Sequence, residues 1–293
     1  MMTRRSVLGL LAAASVGLGR ANAAPDAEAF RRIPKSVWVW NLSSDGFSAL
    51  ADFAHEWNIS RVMLGLRSEA LEHLARADEQ ILSGIERLRG RNIEVMALTG
   101  DPSWVTRGGL PRSVSTILQI MSRRKLFDGL DLDVEPHALP AWHGAPAERE
   151  KLMLGHLALL ETIAAQAPQV QLSAALHPIY AKLSLPDGRN YLRALCHPLR
   201  SASLMAYRNR ADATIKWSEA AIAVFEQARL PWWSGILVHQ SNEPNTSYIG
   251  ASQLQFMTTM SELDGRLRNL ASATHYRGLI FEDYRGLRNI LVG

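Results

Sequence analysis

The sequence has one cysteine, Cys196, in 293 residues. An intramolecular disulfide is therefore excluded, and so is a four-thiolate zinc site. His197 follows Cys196, but adjacent residues on a strand point to opposite faces, and on a helix they lie about 100° apart. Cys196 thus reads as a small buried apolar residue, not a nucleophile. Long apolar runs are also missing. The one from Val7 to Leu18 is shorter than the roughly 20 residues a membrane-spanning helix needs. No glycine-rich phosphate turn opens any of the first helices, which argues against a dinucleotide-binding sheet. No His-x-His or His-x-x-x-His pair occurs. The barrel amidohydrolases need an His-x-His pair at the end of strand one, where this chain has Trp38-Val39-Trp40. His137 and His143 are a weak pair, so neither a catalytic metal nor a cofactor is expected.

What is present begins with an address. Thr3-Arg4-Arg5-Ser6-Val7-Leu8 is a twin-arginine pattern, the apolar run follows, and Ala21-Asn22-Ala23 offers a small-x-small cleavage site. Residues 1–23 read as an export signal and residues 24–293 as one catalytic domain. The expected location is periplasmic or secreted, with the twin-arginine export machinery as a partner and no stable membrane anchor. The signal carries three arginines and no acid, so the net charge of +4 falls to +1 without it. That balance gives no reason to expect a nucleic-acid partner.

The mature chain alternates short β-rich runs with helical ones. Strands are expected over Val37–Trp40, Arg61–Leu66, Glu94–Thr99, Gly129–Glu135, Gln171–His177, Ser203–Tyr207, Trp233–His239 and Arg277–Asp283. Helices are expected between them: Gly46–Trp57, a long charged stretch through Arg89, Ser113–Lys125, Ala147–Gln166, Tyr191–Cys196, Ala211–Ala228 and Ser252–Asn269, with only a short tail after the last strand. Eight such units without a composition break predict a single-domain α/β fold, a (β/α)₈ TIM barrel. An open doubly wound sheet is the alternative. In a barrel the working groups lie at the C-terminal ends of the strands. Polar residues concentrate there: Asn41, Asp101, the acids of strand four, His177, Tyr207, Arg208, His239, Gln240, Glu282 and Asp283.

Strand four reads Asp128-Gly129-Leu130-Asp131-Leu132-Asp133-Val134-Glu135-Pro136. A period of two puts Asp131, Asp133 and Glu135 on one face and Leu130, Leu132 and Val134 on the other. If the apolar face meets the helices, the acids point into the barrel. Stacked like charges repel there, so at least one should keep a proton near neutral pH, as a general acid must. Glu135, nearest the mouth, is the best donor.

The run from Asp128 to Glu135 resembles the DGxDxDxE signature of glycoside hydrolase family 18, the chitinase-like barrels. Leu204-Met205-Ala206-Tyr207 is similar to that family's MxY segment. The resemblance implies a (β/α)₈ fold and hydrolysis of a β-linked N-acetylhexosamine glycan. It implies Glu135 as the acid that protonates the leaving oxygen. Asp133 would orient the substrate's own acetamido group as nucleophile, Asp131 would share charge with Asp133, and Tyr207 would bond the acetamido oxygen. Two positions depart from the family: Arg208 stands where it has Asp, and Leu279–Tyr284 lacks its sugar-floor tryptophan.

Other groups are candidates for contact with a carbohydrate. The loop His239-Gln240-Ser241-Asn242-Glu243-Pro244 follows strand seven. Glu282 points inward if Leu279 and Phe281 meet the helices, and is then a second carboxylate opposite Glu135 or a salt-bridge partner of Arg208. Trp40 and Trp142 are candidate sugar platforms. The leading expectation is an exported glycoside hydrolase. The alternatives are a two-carboxylate glycosidase that pairs Glu135 with Glu282 or Glu243, and a glycan-binding barrel without turnover in which Arg208 neutralises Asp133.

Overall fold

The structure, a computed structural model, describes residues 25–40, 42, 46–65, 79–270 and 273–293. The export signal, Asn41 and the first part of the charged stretch after strand two lie outside the described residues. The chain forms a closed barrel of eight strands in sequence order. They are β1 (Lys35–Val39), β2 (Ile59–Gly65), β3 (Glu94–Thr99), β4 (Gly129–Leu132), β5 (Gln171–Leu176), β6 (Ser201–Leu204), β7 (Trp232–Leu237) and β8 (Tyr276–Glu282). All pairs are parallel, and β1 closes on β8 with Val37 opposite Phe281. The helices are α1 (Pro25–Arg32), α2 (Gly46–Glu56), α3 (Glu79–Gly90), α4 (Arg112–Arg123), α5 (Pro146–Gln166), α6 (Tyr191–Cys196), α7 (Ala211–Ala228), α8 (Gln253–Arg268) and α9 (Tyr284–Val292).

Strand alternation divides the core in two. Val37, Val62, Leu130, Leu132 and Phe281 pack outward against the helices. Trp38, Met63, Met96, Met205, Trp233 and Ile280 fill the lumen. Cys196 is buried on α6, as its apolar reading requires. Near the N-terminal end of the lumen Arg61 pairs with Glu94 at 2.6 Å and lies 5.3 Å over the Trp233 ring.

Strand bounds fall within a few residues of the expected ones. β4 stops at Leu132, although Asp133 N–H still donates to the Thr99 carbonyl at 3.1 Å. Pro136 has no N–H to pair and opens a 3₁₀ turn over Pro136–Ala138, so the strand cannot run on to Glu135. After β8 the expected short tail is instead α9. Its Tyr284, Leu287 and Leu291 recur at helical spacing and are buried, and Asp283 caps it. Pro25–Arg32 is also helical, with Phe30 buried against the aromatic rings of Trp57, Phe256 and Phe281.

Candidate active site

The outward packing of Leu130, Leu132 and Val134 turns Asp131, Asp133 and Glu135 into the lumen. Gly100, just after β3, lets the end of this segment lie close. A Cβ there would stand 1.8 Å from the Asp133 carbonyl oxygen. Gly65 likewise leaves room for the Trp40 ring, which a Cβ would approach to 2.6 Å.

Asp131 is fully buried and its Oδ2 accepts from Trp38 Nε1–H at 3.2 Å. Burial raises its pKa, opposed by the Ser173 hydroxyl, Trp38 and the Arg61 charge. Above it Asp133 is pushed further, well above the usual carboxylate range. Burial is the largest cause, followed by the charges of Glu135, Glu282 and Asp131. Glu135 is raised by burial and by Glu282, while its hydrogen bond with Asp133 pulls the other way. Burial first, and then the mutual repulsion of the acids, raise both members of this pair, so the pair is biased towards keeping a proton.

Glu282 enters from β8, opposite the stack. Its Oε1 accepts from Trp40 Nε1–H at 2.9 Å, and His239 Nε2 lies 3.8 Å away. Burial raises the Glu282 pKa against the pull of both partners. His239 rises in turn, chiefly through its bond to Glu282. Two adjoining cavities open over these groups. One of about 180 Å³ is lined by Trp38, Asp133, Glu135, Tyr207, His239 and Glu282 among others. The other, about 300 Å³, is bounded by Glu135, His137, His177, Arg208, Trp217 and Glu243 among others. Tyr207 borders both, and burial raises its phenol well above the usual value.

Several candidates sit elsewhere or act differently. Trp142 is only 6% exposed and packs its ring against His137, Tyr180 and Tyr191, so it offers no platform for a sugar. Asp101 is exposed and caps the turn after β3 by accepting from Ser103 N–H at 2.7 Å. The Ser103 hydroxyl and then that backbone bond, not a ligand, hold its pKa down. Asp283 accepts from Gly286 N–H at 3.0 Å as the cap of α9. The Gln240 side chain is exposed, and its carbonyl faces His239 Nδ1 at 2.9 Å. Glu243 is exposed on the rim of the larger cavity. Arg208 pairs with neither Asp133 nor Glu282. Its guanidinium lies 4.5 Å over the Trp217 ring and donates to the Tyr207 carbonyl at 2.6 Å.

Two residues that the sequence did not single out for the site, His137 and Trp217, belong to it, together with the expected His177. His137 Nε2 lies 3.5 Å from Glu135 Oε2, and its Nδ1 is 2.7 Å from Tyr180 Oη. Burial lowers its pKa to about 4, so it is neutral at pH 7. His177, held at about 3 by burial, stacks on it with ring centres 4.5 Å apart. Trp217 reaches the same cavity from α7, a helix-to-mouth contact that strand alternation does not reveal. Among the described residues no three His, Cys, Asp or Glu side chains converge as a metal site requires.

Fold and site together define a (β/α)₈ barrel with an acid-lined mouth. The chain is similar in fold to a chitinase from Rhizomucor miehei, with 12% identity and a TM-score of 0.51 over 88% of this chain and 97% of that one. It is similar to a putative chitinase A from Streptomyces coelicolor, with 12% identity and a TM-score of 0.52 over 89% and 96%. It also matches a putative alpha-L-fucosidase from Bacteroides thetaiotaomicron, with 9% identity and a TM-score of 0.54 over 85% of each chain. No protein-family model and no curated protein matches the sequence.

Proposed function

We propose that this chain is an exported glycoside hydrolase that cuts an N-acetylhexosamine-containing glycan with Glu135 as general acid. One observation carries the reading: Asp133 and Glu135 stand together in the wall of an open cavity, where burial raises the pKa of both. Glu135 gives its proton to the glycosidic oxygen as the bond to the anomeric carbon breaks. Asp133 orients the substrate's acetamido group, whose oxygen attacks that carbon. Tyr207, on the edge of both cavities, bonds the same group. His137 is neutral beside Glu135, so it leaves that carboxyl's proton in place. Glu135→Gln is expected to lower cleavage of chitooligosaccharides by about 10²- to 10⁴-fold with the thermal melt retained. Full activity in that variant would sink the assignment.

A second reading gives Glu282 the nucleophile's role. It is favoured by Glu282 lining the same cavity as Glu135 and by the Trp40 bond that fixes its carboxylate. Glu282→Gln and substrates lacking the acetamido group separate the two. Only the two-carboxylate route survives loss of the acetamido.

Residues 1–23 are proposed to send the folded chain through the twin-arginine route to the periplasm or beyond. Replacing Arg4 and Arg5 by lysine is expected to leave the protein in the cytoplasmic fraction. Unchanged export would refute that route.

A further inference from the structure

The larger cavity carries a cation that the chemistry above does not use. Arg208 follows Tyr207 directly at the end of β6 and enters the cavity beside Glu135. Among the described residues its one hydrogen-bond acceptor is the Tyr207 carbonyl. A guanidinium offers five N–H donors. Its Cζ stands 4.5 Å from the Trp217 ring centre, a contact that restrains the guanidinium. Lys182 places a second cation 5.4 Å from the same ring. Among the described residues no carboxylate forms an ion pair with Arg208. Glu135 and Glu243 border the same cavity without pairing with it.

A half-buried guanidinium with no ion-pair partner donates to neutral sugar hydroxyls without gaining compensation for its charge. It matches a planar carboxylate, which takes two parallel N–H bonds from the fork. The acids across the cavity do not forbid an anion there. Their raised pKa values keep protons on that wall, and the imidazoles between them and Arg208 are uncharged near neutrality.

Resting on the glycoside hydrolase reading, we propose that Arg208 is a specificity-determining residue that makes the larger cavity a subsite for a carboxylate-bearing sugar unit. The unit is a uronic acid or a hexosamine with an acidic ether substituent. It would be bound next to the glycosidic oxygen that Glu135 protonates.

The test is calorimetry on Glu135→Gln protein, which binds without turning over. Three tetrasaccharides serve as probes: a neutral N-acetylglucosamine oligomer, one alternating uronic acid with N-acetylhexosamine, and one alternating N-acetylglucosamine with its lactyl ether. We expect one acidic probe to bind about ten- to hundred-fold more tightly than the neutral one, the worth of a hydrogen-bonded charge. Adding Arg208→Met should collapse that preference to about twofold or less, whereas Arg208→Lys, which keeps the charge, retains part of it. Thermal melts of both variants establish that Trp217 still packs. The inference is overturned, and the hydrolase reading left standing, if the neutral probe binds as well as either acid. It is also overturned if the preference persists in Arg208→Met. Failure of all three probes to bind would overturn both.

Discussion

Replacing His156 by asparagine is expected to cost stability at neutral pH and to cost far less in mild acid. His156 is 1% exposed on α5, its Nδ1 lies 2.7 Å from Tyr191 Oη, and its ring packs between Tyr180 and Tyr191. Burial lowers its pKa from 6.5 to about 3. In the unfolded chain the imidazole regains its ordinary value. Between those two values the unfolded state binds the extra proton, so stability rises with pH across that window. This group's contribution is complete above pH 6.5 and is lost progressively as pH falls towards 3. From neutrality to about pH 4.5 the loss is two pH units below the unfolded pKa, or about 2–3 kcal/mol.

Asparagine keeps an amide near the Tyr191 hydroxyl but does not titrate. Its smaller side chain costs about 1–3 kcal/mol in lost ring packing at neutral pH. That deficit should close or reverse near pH 4.5, because only the wild type carries the protonation penalty. Urea denaturation of both proteins at about pH 7.5 and 4.5 reads the difference directly. The remaining titrating groups are common to the two and largely cancel. A deficit of the same size at both pH values would refute the reasoning.

Two further outcomes follow from the site's geometry. Glu282→Gln removes a negative charge that raises both Asp133 and Glu135. The alkaline limb of the activity profile, where the acid loses its proton, should then move to lower pH; an unmoved limb would contradict the electrostatic role, and a near-total loss would favour Glu282 as nucleophile. Gly100→Ala puts a methyl 1.8 Å from the Asp133 carbonyl oxygen. It is expected to destabilise the barrel by about 2 kcal/mol or more, by backbone overpacking, and a wild-type thermal midpoint would show that β3 and β4 part without cost.

The barrel and the acid stack were both legible in the sequence for one reason. A period of two needs no partner to be seen, and Leu130, Leu132 and Val134 declare their side of the sheet by hydrophobicity alone. The same alternation aimed Glu282 correctly from Leu279 and Phe281, which pack outward. The residues that sequence reading missed or misplaced are those whose role depends on what another element brings. Trp142 follows a strand end as a sugar platform would, yet Tyr180 and, from α6, Tyr191 pack against the ring and seal it. Arg208 is next to Tyr207 in sequence, but Trp217, nine positions on and one helix away, draws its guanidinium from the acids. His137 gains its place beside Glu135 through the turn that Pro136 starts and through Tyr180, more than forty residues away.

Four carboxyls gathered in one lumen call for some source of compensation, and its kind bears on what the mouth can do. Ion pairing would hold these groups charged and tie their oxygens to fixed cations. Among the described residues, Arg61 is committed to Glu94 at the far end of the lumen and Arg208 to the outer cavity. What reaches the acids instead is neutral: the indole N–H of Trp38 on Asp131, that of Trp40 on Glu282, and an uncharged His137 beside Glu135. Neutral donors lower a carboxyl's pKa less than a cation does, so burial prevails and the protons stay. His239 is the single imidazole near the stack whose pKa rises, and it faces Glu282 rather than Glu135. The mouth is thereby divided: a carboxyl on the β8 side whose burial is opposed by His239 and Trp40, and on the β4 side a pair with no such cation against it, where a leaving oxygen would need a proton.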